Sequence, residues 1–576
     1  MKKYLFLFTT FLYCSLVFSQ TLDKIGKKDM VTVGGGLNYS SNYYAVSGKT
    51  LNRDPFAWTL GGNLNISILD VSLPFTFSFT NQGGSYTQPF NIIALHPSYK
   101  KFKSHIGTFS MSFSPYTYSG LNVAGGGLEY KPGNWNFQIV GGRFRKAVEY
   151  NPELNNSSTM SYARWGGGFM LGYEKSGIGF QWNVLQVNDD PSSLMFVPTS
   201  STITPMSNLC SSIKVKATVL KSLTAETEVA TSIITRNNEN ENPTTASSPV
   251  YSWVRGNQTT DQHMAVNGSL NYRIKQFSIG AKYERVNPGY TTLGGMYFNN
   301  DLENITVTPT ASLFKGKINI NSNVGIQRNN LANTTANATK RWVGTIAVSA
   351  NVIKNLSLSA NYSNFSTYSK RNPVAFPLLT PIADTLNFYQ ISSNFSASAS
   401  LQVGKKIKNM ISANVSSSIS ENITGRLENA AAFGFNVDGN TGIGPVKANT
   451  AMLSHTFSKE KSPLNLGYTL NYTESIAASI ENAFFGPGVT FGYPIQKKKI
   501  NFSAGAIYNQ NYTNSKLSNH VFSGRCGFGY SPEWWDKKYG KCSISINASL
   551  IEKLPILKTE KAQVDFTLLG LISYSF

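Results

Sequence analysis

Four charged residues stand at spacings that could pair them across a tight turn. Lys214 and Lys216 precede the pair 221–222, and Glu226 and Glu228 follow it. Alternate residues of a strand lie on one face, so a hairpin centred on that turn would place Lys216 opposite Glu226 and Lys214 opposite Glu228. Enclosed ion pairs of this kind would fix strand register and fill an interior. A contribution to a solute path is the alternative interpretation.

Catalytic and metal-binding patterns are absent from the sequence. The histidines are scattered, and no G-x-S-x-G or H-E-x-x-H occurs. Residues 436–442 space oxygen atoms as a calcium loop does, but the glycine comes one place late and Lys447 stands where the bidentate Glu is needed. Three glycine triplets lack the following helix that phosphate binding requires. We therefore expect no enzyme activity, no cofactor and no metal site. The five histidines are His96, His105, His263, His455 and His520.

Two cysteines flank a turn at 531–540. Cys526 and Cys542 could face each other across a hairpin and form a disulfide in an oxidising compartment. The other interpretation is that they are two small apolar residues in neighbouring strands. Cys210 has no evident partner at metal-ligand spacing.

Apolar and small polar residues alternate along much of the chain. Ile500, Phe502 and Ala504 alternate with Asn501 and Ser503, and similar segments recur with Ser, Asn and Thr on the second face. A soluble sandwich would carry more charge on that face, whereas charged residues make up only 14% of this chain. The pattern predicts strands with one face against lipid and the other toward an enclosed interior.

The last fifteen residues, 562–576, carry this alternation to an aromatic end. Ile572, Tyr574 and Phe576 share one face of the final strand. This stretch resembles the C-terminal insertion signal of bacterial outer-membrane β-barrels, and the composition is similar to that of exported Bacteroidota proteins. The resemblance implies recognition by the barrel-insertion machinery and contact with outer-membrane lipid.

The N-terminus predicts export. Lys2 and Lys3 precede an uncharged apolar run, and the composition of residues 1–20 is that of a cleaved signal peptide. Residues 21–29 form a short periplasmic leader and residues 30–576 the barrel, which leaves no room for a separate plug domain. Without Lys2 and Lys3 the chain has 49 basic and 30 acidic residues, a net charge of +19. The lysines gather in the short connections, so we interpret them as solvated turns and expect no nucleic-acid binding.

Short and long connections alternate between the predicted strands. This rhythm is typical of tight periplasmic turns and longer outer loops. It predicts an all-β fold, a large closed antiparallel transmembrane β-barrel of about 26 strands, within a range of about 22 to 26, with both termini in the periplasm of a Gram-negative cell.

Two long connections are unusually apolar. Residues 191–198 include Leu194, Met195, Phe196 and Val197, and residues 373–381 include Phe376, Leu378 and Leu379. Such runs either fold inward as a constriction or dock on a partner. Residues 289–303 raise the same question.

A barrel of this size encloses more volume than its inward side chains fill. We therefore expect a porin-like channel for polar or oligomeric solutes. The alternative is a non-enzymatic scaffold or secretion component that binds other outer-membrane or secreted proteins.

Overall fold

A computed structural model gives the structure of most of the chain after its first thirty residues. It describes residues 31–51, 54–82, 91–152, 160–199, 201, 203–219, 222–242, 256–295, 300–332, 340–364, 366–368, 389–404, 407–422, 446–459, 464–477, 480–495, 499–532, 540–557 and 560–576. The predicted signal peptide and leader lie outside these ranges. Within them, no helix has the length and apolar character needed to cross a membrane.

Twenty-six strands form one continuous sheet. The first thirteen are β1 (Val31–Ser47), β2 (Phe56–Ile68), β3 (Val71–Thr80), β4 (Ile92–Leu95 and Ser98–Tyr99), β5 (Phe102–Ser112), β6 (Tyr118–Tyr130), β7 (Trp135–Arg145), β8 (Ala163–Lys175), β9 (Ile178–Asp190), β10 (Ser207–Val219), β11 (Leu223–Thr235), β12 (Thr260–Ile274) and β13 (Phe277–Val286). The others are β14 (Leu302–Val307 and Thr310–Leu313), β15 (Ile318–Asn329), β16 (Lys340–Ile353), β17 (Leu356–Ser363 and Ser366–Tyr368), β18 (Tyr389–Val403), β19 (Ile407–Asn422), β20 (Val446–Lys459), β21 (Asn465–Ala477), β22 (Ile480–Ile495), β23 (Ile500–Thr513), β24 (Lys516–Tyr530), β25 (Lys541–Pro555) and β26 (Gln563–Ser575).

The sheet closes on itself. Each strand pairs antiparallel with its neighbours in sequence, and β1 pairs with β26 from Gly36 opposite Ser575 to Ser47 opposite Val564. Phe576 and Gly35 exchange two backbone hydrogen bonds of 3.0 Å at this seam. Closure gives the backbone groups of the first and last strands a partner, which a membrane-spanning sheet requires. The predicted barrel, its all-β class and its strand number are confirmed.

The two faces of the wall differ in the way the alternation predicts. On β9 the outward Ile178 and Phe180 are 63% and 40% exposed, whereas the inward Asn183 and Leu185 are fully buried. Exposed tryptophans lie on the outer surface, among them Trp342. An outward apolar surface with aromatic residues suits contact with hydrocarbon.

The two ends of the barrel also differ. Turns such as 176–177, 275–276 and 354–355 join strands at one end, here named the short-turn end, where β1 begins and β26 ends. The other end, the long-loop end, carries connections such as 236–259 and 423–445. One turn of 3₁₀ helix, Pro191–Ser193, begins the connection between β9 and β10.

Among the described residues, buried apolar side chains of the interior are concentrated on one side. Apart from Ala94 and Val343, the buried hydrophobic side chains of the described residues lie between Phe109 and Leu302. We name β5 to β14 the packed arc, and β15 to β26 with β1 to β4 the open arc.

Candidate functional site

A connection of the packed arc turns into the barrel instead of projecting from it. Residues 287–295, named the latch, follow β13 and run against the inner wall. The two-residue strand Gly294–Gly295 pairs in parallel with the start of β6, Gly294 lying opposite Tyr118. This is a parallel pairing in an otherwise antiparallel sheet, and it joins elements more than 170 residues apart in the chain.

A second inward segment, residues 113–117 between β5 and β6, supports the latch. The Tyr290 hydroxyl donates to the Tyr116 carbonyl at 2.8 Å, and the Tyr116 hydroxyl donates to Glu284 at 3.0 Å. Burial raises the pKa of the Tyr116 phenol, and the charge of Glu284 adds to the rise, so this phenol stays a donor. Ser114 donates to Glu228 on the wall. Both segments are therefore tied to the strands and to each other.

The wall beneath the latch is polar. The Asn208 side chain accepts from the Leu293 backbone N–H at 3.0 Å and donates to the Thr291 carbonyl at 3.5 Å. Ser232 donates to the same carbonyl at 2.5 Å. Cys210, fully buried, lies 3.9 Å from that carbonyl and 3.0 Å from the Asn208 oxygen. Wall side chains thus contact the latch through its backbone.

Two glycines let the latch approach this closely. A Cβ on Gly294 would lie 2.1 Å from Leu185 and 2.5 Å from the Thr117 carbonyl. Gly289 has a φ of +79°, and a Cβ there would lie 2.6 Å from the His263 ring. Side chains at either position would push the latch off the wall.

An apolar core lies between the latch and the strands behind it. Leu293 contributes to it from the latch, and Phe113 from the second inward segment. Its other members are Phe109, Met111, Tyr118, Leu121, Val123, Val140, Phe144, Met170, Leu185, Val187 and Ile234. Such a core inside the lumen is packed as the interior of a soluble protein is, and it fills that side of the barrel.

A buried ion cluster closes the long-loop end of the packed arc. Asp189, 2% exposed, accepts from Arg164 at 2.7 and 3.0 Å and from Arg145 at 3.0 Å. It also accepts from the Met206 backbone N–H at 3.1 Å. A carboxylate with four such donors is strongly held.

The predicted register of the Lys and Glu residues is the one observed. Lys214 lies opposite Glu228 and Lys216 opposite Glu226, all on the inward face. The ion pairs, however, differ from those predicted. Lys214 contacts Glu226 diagonally at 2.6 Å, and Lys216 contacts Glu174 at 2.9 Å.

The observed ion pairs differ from the predicted ones because long side chains reach diagonal neighbours as easily as opposite ones. Glu228 is 7% exposed and is engaged by Ser114 of the inward segment 113–117, a contact that depends on tertiary structure. Glu228 therefore anchors this segment instead of pairing with Lys214.

A histidine pair went unrecognised in the sequence. The nitrogens His96 Nδ1 and His105 Nδ1 are 2.8 Å apart, and His105 Nε2 lies 2.9 Å from Glu129. The turn at 100–101 brings the two histidines together, and Glu129 comes from β6. Among the described residues, no group of three or more His, Cys, Asp and Glu has the geometry of a metal site. The arrangement links β4, β5 and β6 by hydrogen bonds.

The apolar connection 191–198 is partly buried and partly exposed. Leu194 is buried beside Met160 and Tyr162, and Val197 packs against the same cluster. Met195 and Phe196 protrude, with 93% and 60% of their surface exposed. The segment 191–198 is thus neither wholly inward nor wholly free. The predicted residues Phe376, Leu378 and Leu379 lie outside the described residues.

Of the two interpretations offered for Cys526 and Cys542, the disulfide is not formed. Cys526 lies opposite Ala548, whereas Cys542 stands six residues earlier on the same strand and pairs with Tyr574. Six residues of strand span about 20 Å, while bridged Cα atoms lie within about 7 Å. Both thiols are free. The two cysteines flank the connection, but at unequal distances from it.

The proposed insertion residues lie on the last strand and at its end. Ile572 pairs with Tyr39 and Tyr574 with Leu37, so both belong to the outward face. Ile572 and Phe576 are each 43% exposed. Their role in insertion stays a prediction.

The open arc presents small polar side chains to the lumen. Hydroxyl groups on neighbouring strands bond to one another along this wall: Ser359 with Ser398 at 2.7 Å, Ser412 with Ser454 at 2.6 Å, Ser416 with Thr450 at 2.6 Å and Ser543 with Ser573 at 2.9 Å. Inward residues here are partly exposed. A closed sheet, an apolar exterior and a polar interior together are the features of a transmembrane β-barrel.

No protein-family model matches the chain, and no curated protein matches it. Among solved structures, the P pilus usher (PapC) translocation pore is 10% identical with a TM-score of 0.35, over 94% of this chain and 98% of that one. The FrpB iron transporter from Neisseria meningitidis is 9% identical with a TM-score of 0.36, over 94% and 81%. OccAB2 from Acinetobacter baumannii is 7% identical with a TM-score of 0.28, over 65% and 93%. At these values the comparisons carry no argument about function.

Proposed function

We propose that this protein is an outer-membrane channel through which polar solutes cross along the open arc. The observation that carries the proposal is the asymmetry of the lumen. The latch and its core fill the packed arc, whereas the opposite wall exposes hydroxyl and amide groups. A wide barrel filled from one side leaves a passage along the other.

The chemistry of that passage favours uncharged, hydroxyl-rich solutes. Serine, threonine and asparagine donate and accept hydrogen bonds, so they can replace the water of such a solute as it moves. Several inward ionisable side chains of the described residues are held in ion pairs, Lys214 with Glu226 and Lys282 with Glu284 on the packed arc and Asp565 with Lys49 on the open arc. Charges neutralised in this way support polar or oligomeric neutral solutes as the substrate class.

Measurements of conductance in bilayers and of swelling in proteoliposomes test the proposal. Purified protein in planar bilayers should give stepwise conductance, and proteoliposomes should swell in neutral sugars up to a size limit. A variant in which residues 288–299 are replaced by a short Gly-Ser linker should conduct more and admit larger sugars. If neither protein conducts although both run as folded barrels, the proposal is wrong.

Orientation and processing belong to the same proposal. We expect cleavage after residue 20, a periplasmic short-turn end with both termini, and delivery by the barrel-insertion machinery. N-terminal sequencing of protein purified from outer membranes should begin at residue 21. A Phe576→Ala variant should accumulate less in the outer membrane than Ile556→Ala, a matched apolar change in the connection before β26.

A further inference from the structure

We propose that the wall beneath the latch is a binding groove for an extended polypeptide, which the latch occupies in cis. This goes beyond the proposed channel, because it assigns a ligand class to a surface away from the open arc. The groove is formed by Asn208, Cys210 and Ser232 on β10 and β11, together with the start of β6.

The wall contacts the backbone of the latch through polar side chains. Asn208 accepts from the Leu293 N–H and donates to the Thr291 carbonyl, and Ser232 donates to that carbonyl too. Gly294 and Gly295 then continue along β6 as a parallel strand. These contacts suit any extended chain, as in other cases where a peptide adds to a sheet.

Side-chain pockets flank this backbone site. Tyr290 is fully buried, with its ring edge-on to Tyr116 at 6.3 Å between centroids. Leu293, 6% exposed, enters the apolar core. Leu185 and the Thr117 carbonyl lie so close to Gly294 that a side chain has no room there. The groove therefore suits a segment with an aromatic residue, an aliphatic residue three positions later and then glycine.

The contacts of the latch allow another segment to take its place. The latch pairs with the wall over only two strand residues, and its own hydrogen bonds leave buried His263 Nε2 and Thr117 Oγ1 without a partner among the described residues. The wall behind the latch has both a polar part, Asn208 and Ser232, and an apolar part, the core that Leu293 enters. A segment from another chain that made the same contacts could replace the latch and cover both parts.

The reactivity of the native thiol Cys210 reports whether the groove is covered. It is fully buried, with the Thr291 carbonyl 3.9 Å from its sulfur. In a C526S/C542S background it is the sole cysteine after residue 20. We expect a small maleimide to label it slowly in the full chain and at least about tenfold faster when residues 288–299 are replaced by a Gly-Ser linker, a free-energy difference of about 1.4 kcal/mol.

The probe is a synthetic peptide of residues 287–295. It should protect Cys210 of the latch-shortened protein in a saturable manner. Its matched control carries an N-methyl group on the residue equivalent to Leu293, which removes the donor to Asn208 while keeping every side chain. The control peptide, and the Asn208→Ala protein with the unmodified peptide, should each bind about tenfold more weakly, as the loss of one or two buried hydrogen bonds implies.

Any one of three results would overturn the proposal. The first is that Cys210 stays unreactive in a folded latch-shortened barrel. The second is that the peptide gives no protection, and the third is that the N-methylated peptide protects Cys210 equally well. Because the readout is labelling and not conductance, a silent channel would leave this test intact. Protection by the peptide with no conductance would support the groove and reject the channel.

Discussion

The packed arc and the open arc are built from the same repeating strand, yet they have different interiors. On β9 the inward Leu185 is fully buried in a core, whereas on β26 the inward Leu571 is 40% exposed. Local sequence on the two strands is similar in type. The difference comes from what lies in front of each wall, which is the latch on one side and the lumen on the other.

The comparison teaches that a wide barrel does not need a separate domain to narrow its lumen. Two of its own connections, 113–117 and the latch, supply aromatic and aliphatic side chains that the strands of the packed arc bury. The strands of the open arc receive no such cover among the described residues, and their small hydroxyl groups bond laterally.

The largest loss of unfolding free energy should come from Asp189→Ala. The change leaves Arg145 and Arg164 unpaired in a buried site, which typically costs about 3–5 kcal/mol. Urea unfolding of the barrel in lipid vesicles measures the loss. Asp261→Ala is the control, because its pair with Arg236 spans 3.4 Å with both side chains about half exposed, and such pairs contribute about 0–1 kcal/mol. Equal losses of unfolding free energy for Asp189→Ala and Asp261→Ala would mean that the packed arc does not exclude water.

A somewhat smaller effect is expected for Leu185→Ala. Truncating a leucine in a packed core costs about 2–5 kcal/mol, since a cavity is left behind. The matched change Leu571→Ala, on the lumen face of the open arc, should stay within about 0.5 kcal/mol. The same unfolding assay compares the two, and similar values would contradict the division of the lumen into arcs.

A change of charge on the open arc should alter selectivity with little loss of stability. Ser398→Asp alters one 2.7 Å hydrogen bond, to Ser359, whose hydroxyl can still donate to the new carboxylate, and a hydrogen bond of this kind contributes about 0.5–1.5 kcal/mol. The new carboxylate should favour cations, seen as a shift of the reversal potential in a salt gradient. An unchanged reversal potential in a conducting channel would place the ion path elsewhere.

The smallest effect should follow Lys214→Met. Its pair with Glu226 is 2.6 Å long, but both side chains are about a third exposed, so we expect about 0.2–1 kcal/mol. Glu228→Gln is the contrasting change, because Glu228 is buried and holds Ser114. A larger loss for Lys214→Met than for Glu228→Gln would contradict the assignment of Glu228 as an anchor.

Much of the architecture follows from local pattern. Period-two alternation places strands, and the rhythm of short and long connections gives the strand number. The hairpin around 221–222 fixes which residues of β10 and β11 are opposite. The same reasoning did not decide whether Cys526 and Cys542 are bridged, because flanking a turn does not make two positions opposite when the connection is placed unevenly between them.

The amino-acid sequence by itself determined the strands, their lipid-facing side and the register of the hairpin around 221–222, since these depend on neighbours a few residues away. Only the tertiary structure decided which connections turn inward and what they cover. Tyr116 and Tyr290 meet across 174 positions of sequence, and His96 meets His105 only once β4 and β5 have paired. Such contacts depend on the closed wall that brings distant residues together, and no local periodicity records them.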